Sequence, residues 1–130
     1  MKLQIVDFET AKYLKELGFD WKDTVSKYYD TKGNRILYLH GIPDEKYGYI
    51  LRPEQSLVVK WLRDVHKLKI TVYPKRFFED LYCLSISINN EIIHSPKHFY
   101  KIYEEAELDG IREAIKYLKN ERNKNNIQSS

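Results

Sequence analysis

PEQSLVVKWLRDVHK, residues 53–67, followed by LKITVY, residues 68–73, decides the fold of this chain. Proline has no N–H to donate and a φ already helical, so Pro53 suits the first position of a helix. From there Leu57, Val58, Trp61, Leu62 and Val65 recur at the 3.6-residue period and make one apolar face. Leu68–Tyr73 then switches to β-branched and aromatic residues, which predicts a strand that Pro74 stops.

Downstream, Leu81–Asn89 alternates, with Tyr82, Leu84, Ile86 and Ile88 facing one way and Ser85, Ser87 and Asn89 the other. Asn89-Asn90-Glu91 predicts a turn into a short strand through Ile92 and Ile93. A last helix is expected over Tyr103–Glu121, acidic at its start and lysine-rich at its end, as the helix dipole favours. Upstream, Asp7 can cap a helix over Phe8–Leu17 that Gly18 stops, with Phe8, Ala11, Leu14 and Leu17 on one side. Thr24–Asp30 and Arg35–His40, joined by Thr31-Lys32-Gly33-Asn34, read as a hairpin, and 41–52 as a loop. The order is α-β-β-α-β-β-α. The expected architecture is α+β: a single domain over residues 1–121, with an antiparallel sheet of about four strands and helices packed on it, then a disordered polar tail at 122–130.

Composition narrows the function classes. A chain of 130 residues, 42% of them hydrophobic, can bury a core without staples. One cysteine, Cys83, excludes an internal disulfide framework and fits a reducing compartment. The start, MKLQIVDFETAK, has no apolar run of secretory type, and no stretch approaches the length needed to span a bilayer. The cytoplasm is the expected location, with no membrane partner. The formal charge is +3, but residues 116–130 hold four bases against one acid, which leaves 18 of each sign in residues 1–115. Within that neutral body charge is segregated: 52–76 carries seven bases and two acids, 77–115 three bases and eight acids.

The residue types that carry chemistry are scattered. His94 and His98 are four apart, but Pro96 between them argues against the helix that would align both rings on a metal. Cys83 has no spacing that ties it to a histidine, and reads as a small core residue. The five glycines form no phosphate-cradling loop, and Asp20, Asp23 and Asp30 do not match a calcium loop. The sequence therefore supplies no catalytic residue, no metal site and no cofactor.

Two features carry more information. Ser56, Lys60, Arg63 and Lys67 are spaced four, three and four apart and form a stripe opposite the apolar face of the 53–67 helix. Such a stripe is either a solvated face or a contact for an anion or a partner, with Lys69, Lys75 and Arg76 close by in sequence. Glu107 falls on the apolar stripe of the last helix, ahead of Ile111, Ala114 and Leu118. An acid there must be paired or sit at the rim.

The run from Pro53 to His66, with its Pro-x-Gln-Ser start and Trp61-Leu62-Arg63, and the later Tyr103-Glu104-Glu105-Ala106, resemble a widespread group of short uncharacterised proteins encoded in phages, prophages and gut bacteria. Element order extends the likeness over roughly residues 8–120, although Glu107 and Leu108 stand in the opposite order to the group's pattern. The resemblance implies a mobile-element origin and a shared fold, and supplies no activity.

These readings favour a small non-enzymatic binding or accessory protein whose partner is a host or phage protein. Nucleic-acid binding through the basic 52–76 segment is the alternative, and an enzyme without a recognisable motif the second alternative. Oligomeric state is not encoded in any pattern found.

Overall fold

The structure, a computed structural model, describes residues 5–21, 27–36, 48–75, 77–94 and 99–128. His98, Pro96, Asp23 and Arg76, and most of the second strand expected over Arg35–His40, lie outside the described residues. The chain divides into two compact units, Met1–Glu54 and Gln55–Ser130.

The first unit opens with α1 (Phe8–Glu16) behind an extended Asp7. Its end is set by Gly18 at φ +92°, where the Phe19 N–H reaches Leu14 O (2.9 Å) and the Gly18 N–H reaches Lys15 O (3.1 Å). That reciprocal pair satisfies two of the helix's last carbonyls and needs a left-handed residue between them. Ala11 and Leu14 are buried with Val6 and Phe19. Three strands of two residues each, β1 (Tyr28–Tyr29), β2 (Arg35–Ile36) and β3 (Ile50–Leu51), form an antiparallel sheet in the order β2-β1-β3. The turn between β1 and β2 is held by Asp30, whose carboxylate accepts from the Lys32 and Asn34 N–H groups (2.8 Å each) and from Asn34 Nδ2 (3.0 Å). Those bonds, Asn34's first, hold the Asp30 carboxyl below its usual range. The Tyr29 hydroxyl donates to Val6 O (2.9 Å), which ties the N-terminal segment to β1.

The second unit is α2 (Gln55–His66), β4 (Leu68–Lys75), β5 (Phe78–Ile88), β6 (Glu91–His94) and α3 (Tyr103–Gln128). The strands form an antiparallel sheet in the order β4-β5-β6. Ile70 pairs with Ile86 and Val72 with Leu84, and Leu68, Ile70, Leu84 and Ile86 are buried. Both helices pack on β4 and on each other, and α3 also packs on β5. Trp61, 2% exposed, lies in this core with Val58, Leu62, Ala106, Ile111, Ala114 and Ile115. Asn89 and Asn90 both have positive φ (51° and 68°) in the two-residue loop between β5 and β6, the turn that matches strand twist.

The α+β class is as expected, but the single sheet of about four strands is not: each unit has its own three-stranded sheet. The extra strand is β3, in the segment read as a loop, whereas β6 is the short strand expected through Ile92 and Ile93. Two-residue strands are too short for alternation to reveal. β4 runs through Pro74 to Lys75, because a strand at the sheet edge need not donate from every residue. α2 starts at Gln55 rather than Pro53. α3 continues to Gln128 where the sequence reading ends it at Glu121 and leaves 122–130 as a disordered tail.

Candidate interaction surface

On α2, the sequence places Ser56, Lys60 and Arg63 on the outer face, and all three are exposed. Lys67 does not continue the row. It lies one residue past the helix at φ +61°, and its ammonium donates to Asp64 O (2.9 Å), a carbonyl of the last turn. Arg63 Nε meets Asp64 Oδ1 at 3.2 Å, a pair open to water on both sides. The apolar face ends earlier than expected, since Val65 is 51% exposed. The His66 ring turns back edge-on to Trp61, with centroids 4.7 Å apart, and burial pushes the His66 pKa down. Its Nε2 is buried with no hydrogen-bond partner among the described residues.

Glu107 is half-buried on α3. With its amide nitrogen turned towards the acceptors, the buried Gln55 side chain donates to Glu107 Oε1 and to Glu104 O, each at 3.2 Å. Burial, and then the Glu104 charge, push the Glu107 carboxyl up. The first residue of α2 thus partners the acid that interrupts the α3 stripe. The site is a structural clasp in its geometry, with an amide donor in place of a cation.

The sequence reading missed the aromatic end of the β4–β5 hairpin. Lys75 pairs with Phe78 to close the hairpin, and a register shift follows at Pro74/Lys75. Immediately before β5, Phe77 is 87% exposed and holds φ +70°, a conformation in which a bulky side chain is strained. Lys75 Nζ lies 3.7 Å from the centre of the exposed Phe99 ring, and Tyr73, Ile102 and Tyr103 are also exposed. Backbone bonds between Tyr82 and Tyr100 (2.7 and 3.0 Å) fix Phe99 beside the hairpin. The run Lys75-Arg76-Phe77-Phe78 was the available signal, since adjacent phenylalanines at a turn are hard to bury.

Polar groups gather elsewhere in the second unit. The Tyr100 hydroxyl donates to Asp109 Oδ2 (2.5 Å). Burial, then the bond to Asp109 and the charges of Asp109 and Glu113, raise the Tyr100 pKa well above the ordinary phenol value. His94 Nδ1 stands 4.0 Å from Glu113 Oε2, an ion pair only when the ring is protonated. This pair lines a cavity of about 170 Å³ with Ile86, Ile93, Lys116 and Tyr117. In the first unit a half-open cleft of about 330 Å³ is lined by Lys15, Phe19, Asp20, Tyr49 and Leu51. There Lys15 Nζ donates to Tyr49 O at 3.1 Å, so its charge is turned towards the wall. Cys83 is buried in β5. Among the described residues no group of three or more His, Cys, Asp or Glu could hold a metal ion. Nor is any helix among them long and apolar enough to cross a membrane. No protein-family model, no curated protein and no solved structure matches the chain.

Proposed function

We propose that this chain is a small non-enzymatic binding or accessory protein of phage or mobile-element type, acting in the cytoplasm through contacts with a host or phage protein. The observation that carries the reading is Phe77, almost fully exposed at the hairpin end in a backbone conformation unfavourable for phenylalanine. Strain and solvent exposure both oppose folding, and an exposed aromatic group with others around it is the composition of a protein contact. Phe99, Tyr73 and Tyr103 supply further aromatic area, and the Lys75 ammonium lies on the Phe99 ring.

The test is capture of partners from a host lysate by the wild-type chain and by Phe77→Ser, with and without nuclease. The expected result is a specific protein that survives nuclease and is lost with the variant. Capture that is equal for both chains would remove Phe77 from the reading. The excess of bases over residues 52–76, Lys60, Arg63 and Lys69 among them, supports a second reading, nucleic-acid binding by that segment. In that case capture disappears with nuclease, and direct binding to DNA or RNA falls steeply with salt as counterions are released.

A further inference from the structure

β4 is an edge of its sheet, and among the described residues its backbone pairs with β5 alone. Eight residues make it a long edge. Leu68 and Ile70 are buried, while Lys69, Thr71 and Tyr73 alternate with them and are exposed. No Asp or Glu occurs between Val65 and Phe78, so this stretch of chain is basic, and Lys69 projects from its exposed face. We propose that the open edge of β4 accepts an extended acidic peptide segment as an added strand. Its backbone would pair along Leu68–Tyr73, its carboxylates would lie beside Lys69 and Lys75, and an apolar residue would meet Tyr73. The inference rests on the protein-contact reading above and gives the partner its chemistry.

Charge selects this occupant. A second copy pairing antiparallel about Val72 would set Lys69 of each copy opposite Lys75 of the other, and like charges directly opposed are unfavourable. Lysine and proline on an edge are the usual guards against self-pairing, and Pro74 ends the run of available donors. An acidic strand converts the same lysines from repulsion to attraction. Main-chain hydrogen bonds then provide affinity and the alternating side chains provide selection.

The experiment follows amide hydrogen exchange of the full chain with three probes: a capped peptide alternating Glu and Val, its Lys-Val counterpart, and oligothymidylate. The acidic peptide is expected to slow exchange within Leu68–Tyr73, and to bind less tightly as salt rises. Lys69→Gln and Lys75→Gln should each weaken it by up to about fivefold, the range of one opposite-charge cross-strand pair. The double variant Lys69→Glu/Lys75→Glu should prefer the lysine peptide, and thermal melts check that each variant folds. Equal binding of both peptides, binding that leaves β4 unprotected, or tighter binding of oligothymidylate would overturn the inference. Protection of β4 without any probe, in a dimer, would assign the edge to a second copy and overturn it too. Phe77→Ser should leave the titration unchanged. If lysate partners are still lost with Phe77→Ser while the peptide leaves β4 unprotected, strand addition alone fails. If the peptide protects β4 but Phe77→Ser captures the same partners, the Phe77 reading alone fails.

Discussion

Gly110 is where α3 comes closest to the sheet, and replacing it with alanine tests the packing of the second unit. A Cβ there would stand 2.7 Å from Ile70 Cγ2 and 2.8 Å from Leu84 Cδ1, against about 3.5–4.0 Å for carbon atoms in contact. Leu84 can swing its terminal methyl, but Ile70 is β-branched and stiff, so relief must come from the helix. The helix is pinned beside Gly110 by Ala106, Ile111 and Ala114, all at 0% exposure. Overpacking of this kind costs about 1–3 kcal/mol, while exchanging glycine for alanine inside a helix returns roughly 1 kcal/mol. Gly110→Ala should therefore lose about 1 kcal/mol in urea melts. Ile70→Ala alone should cost about 2–5 kcal/mol by leaving a cavity. Because it also removes the clashing methyl, the double variant should lose about 1–2 kcal/mol less than the sum. A Gly110→Ala chain that is more stable by about 1 kcal/mol, and additive with Ile70→Ala, would show that α3 does not lie this close to β4.

Trp61→Ala should cost about 3–5 kcal/mol as a buried large-to-small change; a loss below about 1 kcal/mol would put the indole outside the core. Glu107 has a raised carboxyl, so the folded state binds its proton more tightly and stability falls as pH rises from its ordinary value of 4.5 through the raised one. Glu107→Gln keeps an acceptor for Gln55 and should flatten that fall and raise the neutral-pH melting temperature, whereas a lower one would mean the charge is needed. Asp30 has a lowered carboxyl, so its contribution is present above its ordinary value of 3.8 and is lost as pH falls through the lower folded value. Asp30→Ala should reduce stability at neutral pH and weaken the acid-side decline; an unchanged decline would refute the turn's role. Exchanging Lys60, Arg63 and Lys67 together for glutamine should leave the melting temperature nearly unchanged, because all three side chains are exposed and the contacts of Arg63 and Lys67 with Asp64 are open to water.

Elements whose signal is local were legible. Gly18 could be read as a stop because the closing bonds of a helix need a residue at positive φ. The Asn89-Asn90 turn could be read because asparagine tolerates that conformation, and the alternation of β5 followed from a sheet with one face on helices. What depends on tertiary context was not legible. Two short sheets cannot be told from one larger sheet when β1, β2 and β3 are two residues long. Val65 fits the α2 stripe by period, yet periodicity does not say where the opposing layer ends. Lys67 fits the basic stripe by spacing, but the backbone has already left the helix at that residue.

The candidate surface shows the same division in sharper form. Spacing on one helix led to Ser56, Lys60 and Arg63, and the structure does expose them. Exposure of a charged side chain, however, is its default and separates no hypothesis from another. Phe77 is informative because its exposure runs against its chemistry and its backbone conformation against its size. Neither fact is visible until the hairpin is closed by Lys75 and Phe78 and Phe99 is brought beside it through the Tyr82–Tyr100 pairing, a link across 18 residues of sequence. The lysines of β4 gain meaning the same way. In the sequence they are part of a basic run, and only the strand order makes them the side chains of an edge strand. A partner that uses both features must approach along β4 towards the hairpin end, so loss of Phe77 and reversal of Lys69 and Lys75 should weaken one and the same complex.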